Sequence, residues 1–117
     1  MRTTVLTIFL AVLLAAPAAA ADRPRYDVPA GYAKCAGVTA WNGFFKWTTV
    51  HCATCRRARR FMRAYATAAE ASAGPMPHRV AGYRCTIRYW RNTDGDVYAS
   101  RHRCTRDGAV IRFYGMV

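Results

Sequence analysis

The chain predicts an α+β domain in which one amphipathic helix packs on a small, mostly antiparallel sheet of three to four strands, stapled by disulfides. Three observations predict it. Two Asp-Gly pairs, Asp94-Gly95 and Asp107-Gly108, separate three strand-like runs in the last third of the chain, and Asp-Gly is a preferred pair for tight hairpin turns. A single stretch, from Cys55 to about Ser72, repeats apolar residues at three- and four-residue intervals, the helical period. Five cysteines sit in 117 residues, which suits an exported domain whose modest core is reinforced covalently.

Residues 1–21 have the three regions of a secretory signal peptide: a charge at Arg2, an apolar stretch from Val5 to Ala16, and Pro17 before a run of alanines. The apolar stretch is shorter than the roughly 20 residues a membrane span needs. Small residues at the −3 and −1 positions place cleavage after Ala20 or Ala21, leaving about 96 residues as one secreted domain, with the cell envelope or periplasm as other destinations. Only two of the 18 basic residues are lysines, Lys34 and Lys46. Arg2 is the one basic residue removed, and all six acids remain, so the formal net charge of +12 falls to +11. An excess of that size predicts attraction to polyanions and leaves the fold open.

Residues 22–34 (DRPRYDVPAGYAK) contain two prolines, a glycine and mixed charge, which predicts an extended arm, the least ordered part of the molecule. The single α+β domain then covers residues 35–117. Gly43 to His51 is rich in aromatic and β-branched residues and reads as a strand. Thr54 is placed to cap the helix. Along that helix Ala58, Phe61, Met62, Tyr65 and Ala69 share one side and Arg56, Arg59, Arg60 and Arg63 the other. Gly74, Pro75 and Pro77 end it.

Centring the first hairpin on Asp94-Gly95 sets Ile87 opposite His102 and Cys85 opposite Cys104; centring the second on Asp107-Gly108 sets Cys104 opposite Ile111 and His102 opposite Phe113. One face of the resulting meander carries Cys85, Ile87, Tyr89, His102, Cys104, Ile111 and Phe113, a core face. The other carries Thr86, Arg88, Trp90, Arg101, Arg103, Arg112 and Tyr114. A register that sorts three strands at once supports itself, and it proposes a Cys85 to Cys104 disulfide. Cys35 is left to pair with Cys55 or Cys52. If Gly43 to His51 joins the sheet, a right-handed β-α-β crossover is the expected route, giving two layers.

The run Cys55-Arg-Arg-Ala-Arg-Arg-Phe-Met-Arg-Ala-Tyr65, followed by Gly82-Tyr-Arg-Cys85, Arg103-Cys104 and Val110-Ile-Arg-Phe113, resembles the pattern of small secreted proteins of high-GC actinobacteria, a group without an assigned activity. The resemblance covers most of the chain from Cys35 onward. In that pattern the helix begins at Cys-x-x-Ala-Arg, matched by Cys55, Arg56, Arg57, Ala58 and Arg59, and Cys52 is an addition to it. The resemblance therefore implies a Cys35 to Cys55 bond and Cys52 as the free thiol, compatible with a monomer or a disulfide-linked dimer.

The outer sheet face sets Arg88 beside Arg101 and Arg103 beside Arg112, with Trp90 and Tyr114 at its edges. Like charges side by side are unfavourable unless anions or solvent screen them. The functional reading is a polyanion-binding face whose guanidiniums fork onto phosphate, sulfate or carboxylate while the aromatics stack on sugars or bases; Arg56, Arg59, Arg60 and Arg63 form a second basic surface. The plainer reading is a solvated, arginine-biased surface from a GC-rich genome. Nucleic acid is the weaker partner for an exported protein; anionic envelope polymers or an acidic protein surface fit better.

Three further chemistries are starved of residues. Cys52-Ala-Thr-Cys55 has thiol-disulfide oxidoreductase spacing at a helix start, but such folds need another helix and a cis-proline strand before the later strands, and Met76-Pro77 comes too soon after the first helix to supply them. His51, Cys52, Cys55 and a distant His78 or His102 are the candidate metal ligands, yet thiols in an oxidising compartment go to disulfides, and His102 falls on the core face. No metal or other cofactor is expected. Asp94-Gly95-Asp96 lacks the further acids of a calcium loop, and Glu70 is the only glutamate. The expected function is a secreted, basic, non-enzymatic binding module. The alternatives are a hydrolase inhibitor presenting Gly74 to Val80, and a redox enzyme using Cys52 and Cys55.

Overall fold

The computed structural model describes residues 22–116; the signal-peptide reading of residues 1–21 lies outside them. Seven elements follow one another: β1 (Ala33–Lys34), β2 (Phe45–His51), α1 (Cys55–Ala71), β3 (Arg79–Val80), β4 (Tyr83–Arg91), β5 (Val97–Arg106) and β6 (Ala109–Met116). The strands form one sheet in the order β1-β2-β6-β5-β4-β3, and every neighbouring pair is antiparallel. The sheet thus has six strands where the sequence predicts three or four. The two extra strands are two-residue edges, too short to leave an alternation in the sequence.

The turn chemistry sets the meander. Arg106 pairs with Ala109 across Asp107 and Gly108, both at positive φ (48° and 80°), the two-residue turn whose twist matches that of the strands. The β4-β5 connection is longer. Strand pairing ends at Arg91 and Val97, with a register shift after Trp90, and Asn92 closes the loop by accepting from the Asp94 and Asp96 amides at 3.0 Å each. Beyond that bulge the pairs are Cys85 with Cys104, Ile87 with His102, Cys104 with Ile111, and His102 with Phe113.

Both disulfides are formed, Cys35–Cys55 and Cys85–Cys104. The second spans β4 and β5 at a pair whose Cys85 amide points away from β5, donating to the His78 carbonyl at 2.7 Å. It is therefore a non-hydrogen-bonded pair, the closer-set kind. The first ties the segment after β1 to the first residue of α1.

β2 joins the sheet beside β6, antiparallel to it. α1 crosses from β2 to β3, which runs parallel to β2 at the other side of the sheet, with β6, β5 and β4 between them. Helix α1 starts at Thr54, whose hydroxyl accepts from the Arg57 amide at 3.1 Å, and buries Ala58, Phe61, Met62, Tyr65 and Ala69. These meet Phe45, Val50, Tyr83, Cys85, Cys104, Ile111 and Phe113 in one core.

His102 sits at the centre of that core, fully buried and stacked parallel on Phe113 with ring centroids 4.7 Å apart. Tyr65 donates to the Pro77 carbonyl at 3.0 Å, leaving its oxygen to accept from His102 Nδ1 at 2.9 Å, and Ser100 Oγ lies 2.7 Å from Nε2. Both ring nitrogens are satisfied by neutral groups. Burial, with an electrostatic contribution from nearby His78, pushes the His102 pKa down to about 3, since desolvation disfavours the charged ring.

Candidate functional site

The outer face of the sheet is where the basic residues gather, and cross-strand register arranges them in two rows. One row runs Thr86, Arg103, Arg112, Thr49, Lys34 across β4, β5, β6, β2 and β1; the next runs Arg88, Arg101, Tyr114, Lys46. Arg88 therefore lies beside Arg101 and Arg103 beside Arg112.

The arm of residues 22–34 packs across this face. Its last two residues form β1, and the segment before them docks through aromatic and polar contacts. Tyr26 sits 4.9 Å from the Tyr114 ring and 5.4 Å from the Trp47 ring. Trp47, turned onto this face by a bulge in β2 and held at φ 53°, donates to the Asp27 carbonyl at 3.1 Å. Tyr114 hydrogen-bonds to the Arg25 carbonyl. His51 Nδ1 lies 2.9 Å from the Gly31 carbonyl, and Tyr32 stacks on the His51 ring. The fold thus has a partial third layer opposite the helix.

This layer changes what the outer face offers. Trp90 and Tyr114 are 5% and 1% exposed, so neither presents a ring for a sugar or base to stack on. Instead they carry guanidiniums: Arg88 lies 4.6 Å over Trp90, Arg101 5.8 Å from the same ring, and Arg112 5.4 Å from Tyr114, positions that cation–π attraction favours. Arg112 is buried and bonded to Asp27 at 2.8 Å. The hydrogen bond from Arg112 holds the Asp27 carboxyl below its ordinary range. Arg88 pairs with Asp22. Arg101 and Arg103 have no carboxylate partner among the described residues.

Between the arm and β4 the face opens into a cleft of about 360 Å³ lined by Pro29, Tyr32, Thr86, Ile87 and the four arginines 88, 101, 103 and 112. A second hollow of about 340 Å³ lies beyond Arg88 and Arg101, bounded by Asp22, Arg23, Arg25, Asp27 and Trp90. The two share Arg88 and Arg101, which makes them neighbours on one face. In the first cleft the sequence reading missed Pro29, Tyr32 and Ile87: nothing periodic in the arm marks the first two, and alternation assigns Ile87 to the core face.

The helix arginines Arg56, Arg59, Arg60 and Arg63 are all exposed on the opposite side of the molecule. Arg60 joins Arg57, Phe61, Tyr83 and Arg106 around a groove of about 320 Å³, while Arg56, Arg59 and Arg63 line none of the hollows described here. The sheet and helix arginines therefore form two separate surfaces.

The remaining candidates are dispersed. Cys55 is bonded to Cys35, and Cys52 is a free, exposed thiol at φ 51°, so the Cys52-Ala-Thr-Cys55 spacing is not a disulfide. His51 contacts the arm, His78 Nδ1 lies 3.1 Å from the Cys85 carbonyl and His102 is in the core; no three histidine, cysteine or acidic side chains gather at one point among the described residues. Ser100 beside His102 has the spacing of a nucleophile and its base, but both are sealed in the core. In the segment from Gly74 to Val80, Met76 and Pro77 are half-buried, and Val80 is buried in β3. No family model, curated protein or solved structure matches the chain.

Proposed function

We propose that this protein is a secreted, non-enzymatic module that binds anionic polymers through the arginine cleft on its outer sheet face. The observation that carries this reading is the state of Arg101 and Arg103: two guanidiniums without a carboxylate partner among the described residues, lining one cleft beside Arg88 and Arg112. Guanidiniums in that arrangement fork onto phosphate, sulfate or carboxylate oxygens. Cation–π packing on Trp90 orients Arg88 and Arg101 before any ligand arrives, reducing the ordering cost of binding. Two disulfides in a chain this short are compatible with an oxidising, extracellular setting, and the signal-like first 21 residues support export.

The test compares two double variants of equal charge on an immobilised polyanion such as heparin or polyphosphate. Arg101→Gln with Arg103→Gln removes the cleft charges; Arg59→Gln with Arg63→Gln removes two from the helix face. The cleft variant is expected to elute at lower salt, with its slope of log affinity against log salt reduced by about 2, as loss of two counterion-releasing contacts predicts. The helix variant is expected to elute close to the wild type. Equal elution of the two variants refutes a dedicated face and leaves only net charge.

A further inference from the structure

We propose that the open edge of β4 takes up an extended acidic segment of a partner protein as an additional antiparallel strand. β3 covers only the start of β4, pairing with Tyr83 and Arg84. His78 extends that contact by one residue, accepting from the Cys85 amide. The chain before it then leaves the edge, because the Pro77 carbonyl turns inward to Tyr65. Backbone groups two residues apart in a strand point the same way, so the amides and carbonyls of Ile87 and Tyr89 point outward as those of Cys85 do. Neither residue has a backbone partner on that side among the described residues.

Natural edges are commonly blunted by charged side chains, proline or a bulge. From Thr86 to Trp90 this one has no proline, its register shift comes only after Trp90, and its one charge, Arg88, opposes a cationic strand but favours an acidic one. It is an edge on which main-chain pairing can be continued by an added strand.

The surroundings select the occupant. A strand added here would alternate its side chains between the two faces of the sheet. On the outer face they would lie beside Thr86 and Arg88, next to the open side of the cleft that Ile87 lines. On the inner face they would lie beside half-buried Ile87 and Tyr89. Arg84, Arg88 and Arg91 are exposed along β4, so acidic residues fit the outer positions and apolar residues the inner ones. A second copy of this chain would bring another net charge of +11 toward the same edge, which opposes association.

The proposal rests on main-chain groups and stands apart from the cleft reading. The probe is a seven-residue peptide alternating glutamate and valine, compared with the same peptide N-methylated at its valine amides, which are the ones that would face β4. Amide hydrogen exchange is followed by NMR on the disulfide-bonded protein. The plain peptide is expected to slow exchange at Ile87 and Tyr89 by at least about tenfold, as two or more added hydrogen bonds imply; the methylated peptide is expected to leave both amides unprotected. Equal binding of both peptides without protection of these amides overturns the proposal and is compatible with charge-driven binding in the cleft. Absence of protection by either peptide also overturns it. So does protection without peptide, whether constant or rising with protein concentration, the latter marking a second copy as the occupant.

Discussion

Acidification from pH 7 to pH 5 is expected to destabilise this protein through its buried His102, before carboxylates begin to titrate appreciably. The ring is buried and neutral, with its pKa pushed down to about 3, whereas in the unfolded chain it titrates near 6.5. A group whose folded pKa is depressed contributes stability that is full above the unfolded value. Here that stability is lost as pH falls from 6.5 toward 3, because the unfolded state takes up the proton first. Each unit in that window is worth about 1.4 kcal/mol, so at pH 5 the loss reaches about 2 kcal/mol. Urea denaturation at a series of pH values, comparing wild type with His102→Gln, isolates the effect. The variant is expected to be less stable at pH 7 because it loses the stacking on Phe113, but its stability is expected to vary less between pH 7 and 5. The same pH slope in both proteins refutes the reasoning, as would an NMR titration in which the folded protein's His102 protonates near 6.5.

Three other outcomes follow from named contacts. Replacing Cys85 and Cys104 together by serine reopens a loop closed at a sequence separation of 19 and is expected to lower stability by about 3 kcal/mol, whereas Cys52→Ser stays within about 0.5 kcal/mol; urea midpoints check both. Gly115→Ala places a Cβ 2.6 Å from Ser100 Oγ and 2.8 Å from Phe44 Cε1, and such overpacking is expected to cost about 1–3 kcal/mol, read as a drop in melting temperature. Asp27→Asn weakens the tether to Arg112 and is expected to speed tryptic cleavage after Arg25 by about threefold, the scale of an ion pair with one exposed partner. Because the Asp27 pKa is lowered, the wild-type arm is expected to loosen in the same assay only as pH falls below about 3.8, with pepsin replacing trypsin at that acidity.

Legibility in the sequence varied by element, for physical reasons. The β4-β5-β6 meander was readable because its turns are local and its alternation is strict, so one register placed Cys85 against Cys104 and His102 against Phe113. The helix was readable down to its buried residues because a single apolar stripe ran between breakers. The six-strand sheet was not: β1 and β3 have two residues each, and the pairing of β2 with β6 joins segments about 60 residues apart with no shared pattern. The candidate site was half legible. Alternation placed Arg88, Arg101, Arg103 and Arg112 on one face, but Trp90 and Tyr114 were assigned to solvent. Two large aromatics on an otherwise charged face were the available sign that something covers them.

By itself the sequence determined the helix, the hairpin register, one disulfide and the row of arginines, all consequences of short-range periodicity and turn stereochemistry acting within a few residues. Only the tertiary structure decided which of the sheet arginines lack a carboxylate partner among the described residues. The arm has no repeating pattern to announce a surface. Its prolines and mixed charges fit the sheet because Tyr26, Asp27 and Gly31 meet Trp47, Arg112, Tyr114 and His51, residues distant in sequence that only the folded sheet assembles. That docking buries the two aromatics, spends Asp22 and Asp27 on Arg88 and Arg112, and leaves Arg101 and Arg103 facing the cleft.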